Sequence, residues 1–379
     1  MTWHWWLILA LALAALGLSL HNRASIGALR SRLVHANAAA TGILPQKNAE
    51  TGERTVAVVV NPTKIGDMRD LRAVVEQAAA DAGYSATRWY GTTPDDPGAG
   101  QTRAALAEGP AVVIAAGGDG TVRTVAAGMA GTGVDMAILP LGTANLAARN
   151  LGLPVGRLDA ALRAAAYETA RPTDLVRVRI EPTDAPCPPP DDQARPSPNV
   201  EHVSMVVAGI GFDAGLVAST RPDLKARIRW GAYAVAAVAN LDSPHMDLVV
   251  RVRETNGAQR IERLRARTVL LANGGRLPAG ITLLREARMD DGVLDVAAID
   301  TVGGVVGWSS LARQVLPPFA ASYSNPAHAL GRVTLRRGTE AIVQLAEPAP
   351  VQIDGELLAP TRILRARLDA GALLVRRPG

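Results

Sequence analysis

The residues best suited to chemistry are Gly117-Gly118-Asp119-Gly120-Thr121. They follow an apolar run, Ala111 to Ala116, that reads as a buried strand, and they lead into Val122 to Gly128, which reads as a helix. Three glycines between strand and helix let the backbone turn where a Cβ would block it. Such a turn leaves bare N–H groups at a helix N-terminus, where the partial positive charge favours a phosphate. Asp119 repels a bare phosphate but suits one that arrives with a divalent cation. The stretch predicts a Mg²⁺–nucleotide site.

Two further groupings could act with it. Gly142-Thr143-Ala144-Asn145 is a small-residue turn feeding a short helix, Leu146 to Asn150, closed by Gly152 and Pro154. Thr143 and Asn145 can donate to phosphate oxygens, or serve only as helix caps. Asp354-Gly355-Glu356 sets two carboxylates two residues apart. Read alone, they are acids chosen for turn propensity between two strands.

The elements that position these residues alternate over the first half. Strand-like runs at Thr55–Val60, Ala86–Thr93, Ala111–Ala116 and Met136–Leu139 are separated by helical stretches at Asp70–Ala82, Gln101–Glu108 and Val122–Gly128. Alternation of this kind implies βαβ units in a parallel sheet, whose ligands bind beyond the carboxyl ends of the strands. Asn61, Thr92, Thr93, Gly117–Thr121 and Gly142-Thr143 all fall at those ends. From Arg171 onward short strand-like runs follow one another: Thr173–Glu181, His202–Val207, Met246–Glu254, Arg263–Ala272, Val293–Ile299, Arg332–Arg336, Ala341–Leu345, Val351–Ile353 and Ala370–Arg376. They predict an antiparallel β-sandwich. Pro182–Pro198 reads as a Pro/Asp-rich loop, and Leu224–Leu241 as a helix that is basic at its start.

Composition narrows the class. The 379 residues are 48% hydrophobic but only 3% aromatic, so large cores must be built from Ala, Val, Leu and Ile. Two domains are expected at this length. The net charge of +5 comes from scattered arginines rather than a basic block, which points away from nucleic acid and toward an anionic lipid surface. A single cysteine, Cys187, excludes an internal disulfide framework and a cysteine-based zinc site.

At the N-terminus, Trp3 to Leu20 is an apolar run of about the ~20 residues a bilayer span needs. Trp3, Trp5 and Trp6 lie at one end, with Arg23, Arg30 and Arg32 beyond the other. These features predict an uncleaved single-pass anchor in the cell membrane with the rest of the chain cytoplasmic. A cleaved signal peptide fits less well, since there is no basic leading region and no clean cleavage site. The expected organisation is an anchor over 1–22, a linker over 23–54, an α/β nucleotide-binding domain over 55–171, a β-sandwich over 172–355 and a C-terminal segment over 356–379.

With GGDGT and LPLGTANLAARNLGLP, the chain resembles the diacylglycerol kinase catalytic family, which includes bacterial lipid kinases and the sphingosine and ceramide kinases. The resemblance runs from about Thr55 to the C-terminus and includes Asn61-Pro62, GIGFDA at Gly209–Ala214, LKARIRWGAY, Asn273-Gly274-Gly275, MDDGVLDV at Met289–Val296 and QIDGE at Gln352–Glu356. It implies an α/β nucleotide domain followed by a β-sandwich, with a cleft between them and the C-terminal segment packing back on the first domain. It also implies phosphoryl transfer from ATP, with Mg²⁺, to the hydroxyl of diacylglycerol or a related membrane lipid.

Carried over by position, the resemblance implies that Asn61, Pro62, Thr63, Thr92 or Thr93, Gly117, Gly118, Asp119, Gly120, Thr121, Gly142, Thr143 and Asn145 hold ATP. Arg229 stands where the family has a basic phosphate contact. Asp119 acts through Mg²⁺, Asp174 joins the acidic network around it, and Asp291 with the carbonyls of Arg288 and Val293 forms a structural Mg²⁺ site. Asp354 and Glu356 match the acids that deprotonate the lipid hydroxyl. Two departures stand out: Leu146 replaces the aspartate of the common GTxND, and Lys64 enters the first loop, where it offsets phosphate charge or is simply solvated. Leu146 leaves three outcomes open: full activity with Asp119, Asp174 and water, weaker metal binding, or a non-catalytic nucleotide- or lipid-binding member. An NAD kinase-type enzyme is a further alternative, and a homodimer is among the expected oligomeric states.

Overall fold

A computed structural model of the chain describes residues 54–181, 201–211, 245–276, 282–301 and 331–379. The described residues fall into two compact units: 54–172 with 373–379, and 173–372.

In the first unit, β1 (Thr55–Val60), β2 (Ala86–Gly91), β3 (Val112–Gly117) and β4 (Asp135–Pro140) lie parallel in the order β2-β1-β3-β4. The β-branched runs TVAVVV and VVIAAG are buried almost throughout, as strands covered on both faces require. Helices α1 (Met68–Asp81) and α5 (Leu158–Tyr167) cover one face, where Leu71, Val74, Val75, Leu158 and Leu162 meet Val56, Val58, Ile114 and Leu139. The unit also contains α2 (Ala99–Ala107), α3 (Asp119–Met129) and α4 (Leu146–Asn150). Asp67 caps α1, its side chain accepting from the Arg69 amide at 2.7 Å.

The end of the chain completes this sheet. Leu374 and Val375 pair in parallel with Asp135 and Met136 of β4. Arg376 is buried beside them; it donates to Asp135 Oδ2 at 2.9 Å, the Tyr84 hydroxyl at 2.7 Å and the carbonyls of Ala165 and Ala166 at the end of α5. Arg376→Ala would leave these acceptors without their buried cation. It is expected to cost about 3 kcal/mol, read as a lower urea midpoint.

The second unit contains β5 (Ala170–Ile180, begun in the first unit), β6 (Glu201–Ser204), β7 (Val207–Ile210), β8 (Met246–Arg253), β9 (Gln259–Ala266), β10 (Thr268–Ala272), β11 (Leu294–Thr301), β12 (Gly331–Gly338), β13 (Glu340–Ile353) and β14 (Glu356–Arg376, ended in the first unit). The pairings β12-β11-β10-β7-β13-β14, β13-β8-β9 and β5-β6 are antiparallel wherever their register is defined. One core gathers Val176, Ile210, Val250, Leu271, Leu294, Val343, Ile353 and Leu364 from seven strands. The mixed α/β unit with parallel strands followed by a β-rich unit agrees with the sequence expectation. The expected C-terminal segment divides: residues 356–372 belong to the second unit and only 373–379 to the first.

The single-pass membrane expectation is corrected. Among the described residues no helix is long and apolar enough to cross a membrane. The span read at Trp3–Leu20 lies outside the described residues, as do Arg229 and the helix read at Leu224–Leu241.

Candidate functional site

The loops expected to hold the nucleotide gather at the carboxyl end of the first unit's sheet. The Asn61 amide donates to the Ala116 carbonyl, and its side-chain oxygen accepts from Thr63 N at 3.0 Å and Thr63 Oγ1 at 2.7 Å. Asn61 Nδ2 lies 3.5 Å from Oγ1 of buried Thr121. This turn begins Pro62–Lys64, a single 3₁₀ turn with Pro62 at its start, where no amide hydrogen is needed. Thr92 is buried and donates its amide to the Val60 carbonyl, whereas Thr93 Oγ1 accepts from the Asp96 amide and so shapes the following turn.

Gly118 and Gly142 touch backbone to backbone. A Cβ on Gly142 would come within 2.6 Å of the Gly118 Cα, so the loops after β3 and β4 can meet only if that position is glycine. Asn145, buried and in the left-handed region at φ 50°, closes the second loop. Its side chain accepts from Gly142 N at 3.0 Å and donates to Gly142 O at 2.7 Å.

Asp119 ties the two loops together. It is the first residue of α3, and its carboxylate reaches across to α4, accepting from Asn145 N at 3.0 Å and Leu146 N at 2.5 Å. The same acid favours the positive end of its own helix and satisfies two amides at the start of the next. A carboxylate has about four acceptor positions, so this role is compatible with a cation arriving with a nucleotide. Leu146, where a carboxylate was expected, turns its side chain into the core at 5% exposure.

In the second unit, Ile353–Glu356 closes the β13–β14 hairpin. Asp354 and Gly355 have φ of 46° and 87°, the left-handed pair that a two-residue hairpin turn demands. The Asp354 carboxylate is buried and accepts from Ser204 Oγ at 3.1 Å, Met205 N at 2.7 Å, and Val206 N and Val207 N at 2.9 Å each. Those amides belong to the break between β6 and β7, so Asp354 holds that kink closed. Glu356, two residues on, is exposed.

Asp174 is also buried in a nest of amides, accepting from Gly292 N at 2.8 Å and Gly371 N at 2.7 Å, while its own amide donates to Met289 O. Asn273 donates to the carbonyls of Asp174 and Met205, both at 2.8 Å. In the Asp291 turn, Asp291 accepts from Val293 N and from Arg337, while Arg288 pairs with Asp290 at 3.1 Å. Loss of solvent pushes the Asp291 carboxyl up, against the opposing Val293 amide and Arg337, and Asp174 and Asp290 add to the rise. Among the described residues no three His, Cys, Asp or Glu side chains are assembled to hold a metal. The structural Mg²⁺ site that the resemblance implies is of another kind, with Asp291 its one carboxylate and the carbonyls of Arg288 and Val293 its other donors.

Asp295 sits beside this turn, fully buried, with one oxygen bound to Arg337 Nε at 3.1 Å and Oδ2 without a hydrogen-bond partner. Burial pushes its carboxyl up to about 6, from an ordinary value of 3.8, against the pull of Arg337. The folded state then holds a proton that the unfolded chain has released, so stability falls as pH rises from about 4 to about 6. Asp295→Asn should flatten that part of a pH–stability curve, and the span is on the order of 3 kcal/mol.

Sequence reading named Asn61, Thr63, Asp119, Thr121, Gly142 and Asn145, and the structure brings all six together in one unit. It gave no role to Ser204 or Arg337. Each owes its place to a residue far along the chain, so no local signal marks it.

A parallel α/β unit with glycine turns at its strand ends, followed by a β-rich unit with an acidic hairpin, is the plan of a diacylglycerol kinase-type phosphotransferase. Residues 55–178 match the diacylglycerol kinase catalytic domain, and residues 204–376 match the YegS C-terminal NAD kinase beta sandwich-like domain. The chain belongs to the YegS-like lipid kinase family. It is 30% identical over 295 residues to a protein named probable lipid kinase YegS-like from Pseudomonas aeruginosa PAO1, covering 72% of this chain and 82% of the relative. A relative of the same name from Pseudomonas putida is 31% identical over 205 residues, or 54% of this chain and 60% of that one. In fold the chain is similar to a diacylglycerol kinase from Bacillus anthracis, with a TM-score of 0.62 and 18% identity over 87% of this chain and 99% of that one.

Proposed function

We propose that this chain transfers the γ-phosphoryl group of ATP to the hydroxyl of a lipid alcohol such as diacylglycerol. The observation that carries the reading is Asp119, whose carboxylate joins the GGDGT turn to the GTAN turn at 3.0 and 2.5 Å and so fixes the two glycine loops as one cradle. Phosphoryl transfer asks chiefly for positioning and charge neutralisation, which such a cradle supplies. Mg²⁺, delivered with the nucleotide, offsets the charge that develops on the phosphate oxygens.

The lipid hydroxyl oxygen attacks the γ-phosphorus, the bond to the β–γ bridging oxygen breaks, and ADP leaves. The hydroxyl proton goes to a carboxylate. Of the two acids in QIDGE, the exposed Glu356 suits that role. Asp354 already accepts four hydrogen bonds, and its part is to hold the hairpin that presents Glu356. The test is purified protein with γ-labelled ATP and Mg²⁺ offered a panel of lipid alcohols, with NAD⁺ as a separate acceptor. Label in a lipid product supports the reading, and label in NAD⁺ alone replaces it with the NAD kinase-type activity.

A further inference from the structure

Arg149 has no role in the account so far, yet its setting is unusual. It lies in α4, directly after the GTAN turn, and its Nε donates back to the Ala144 carbonyl at 2.8 Å. The guanidinium is partly buried, which disfavours its charge and lowers its pKa, while the field of Asp119 opposes that effect. Among the described residues its two terminal nitrogens have no hydrogen-bond partner. Several other arginines of this unit are paired or stacked: Arg376 with Asp135, Arg163 with Asp159, Arg88 with Glu108 and Arg72 over Trp89. Asp119 does not hydrogen-bond Arg149, because its oxygens are turned to the amides of Asn145 and Leu146.

A guanidinium held by Nε keeps its outer pair of N–H donors as a fork, the geometry that matches two oxygens of a phosphate. We propose that Arg149 is a phosphate-binding residue, its terminal nitrogens taking oxygens of the nucleotide's polyphosphate beside the GTAN turn. The inference rests on the nucleotide reading of this site and names the cation within it. It also gives Leu146 a consequence. With leucine there, the turn carries Asp119 and Arg149, one charge of each sign, instead of two carboxylates around one arginine. An anion can then approach with less help from metal.

The experiment is calorimetric binding of ATP, ADP and adenosine to the full chain and to Arg149→Met and Arg149→Lys, with thermal unfolding as a check on folding. Methionine keeps the apolar stem and removes the fork. It is expected to weaken ATP and ADP about 10- to 100-fold, the loss of one or two charge-assisted hydrogen bonds, and to leave adenosine unchanged. Lysine restores charge without the fork and should fall between. If Arg149→Met fails to fold, Arg149→Lys decides by the same comparison. Unchanged ATP affinity in the folded variants, with the parent chain binding ATP, overturns the role of Arg149 alone. A parent chain that binds none of the three ligands overturns the nucleotide reading and this inference with it.

Discussion

Asp119→Ala is expected to abolish lipid phosphorylation, with turnover down by at least about 10²-fold, the scale seen when one preorganised electrostatic group is removed. The cause is local. The carboxylate satisfies the amides of Asn145 and Leu146, so its removal frees the start of α4 and separates two loops that otherwise meet at Gly118 and Gly142. Losing a cap of this kind costs about 1–2 kcal/mol, so the first unit should stay folded while its cradle loosens. ATP affinity and turnover should therefore fall together, with a modest drop in the unfolding midpoint. Asp119→Asn should resemble alanine in turnover, because an amide can offer an acceptor to only one of the two N–H groups and brings no charge.

The second large effect separates the two acids of the hairpin. Asp354→Asn places an NH₂ group among donors, since Met205, Val206 and Val207 all present amide hydrogens to that carboxylate. A buried group left mismatched in this way costs about 3–5 kcal/mol, enough to unfold the second unit or to lower its midpoint severely. Glu356→Gln alters an exposed side chain and should leave stability within about 0.5 kcal/mol. Turnover should nevertheless fall about 10²- to 10⁴-fold, the contribution of a positioned general base. Circular dichroism melts beside single-turnover phosphorylation distinguish the outcomes. A stable Asp354→Asn variant with a dead active site would exchange the two roles.

The parts of the fold that sequence displayed are those with local causes. β1, β3 and β4 are short apolar runs cut off by Asn-Pro, Gly-Gly and Pro-Leu-Gly, so both their existence and the loops at their ends were legible. Helix α4 begins and ends where its turn residues and Gly152 require. In the second unit the signals are long-range. His202–Val207 reads as one strand, but it breaks at Met205–Val206 because Asp354, about 150 positions away, takes the amides there. Arg263–Ala272 also reads as one strand and is two, β9 paired with β8 and β10 paired with β7 and β11. In the other direction, the runs at 341–345 and 351–353 join into β13, with register shifts around Ala349, where Pro348 and Pro350 have no amide hydrogen to donate. Asp119 was legible as the acid of a glycine turn between strand and helix. Its grip on the next helix was not, because that contact spans 26 and 27 positions.

The central claim is that the loops Asp119 joins carry ATP for transfer to a lipid hydroxyl. Its most direct test is incubation of the purified chain with γ-labelled ATP, Mg²⁺ and diacylglycerol in mixed micelles, beside Asp119→Ala. The account predicts label in an extractable phospholipid from the parent chain and none above background from the variant. Equal labelling by both proteins, or ATP bound by the parent chain with no lipid in the panel labelled, would contradict it.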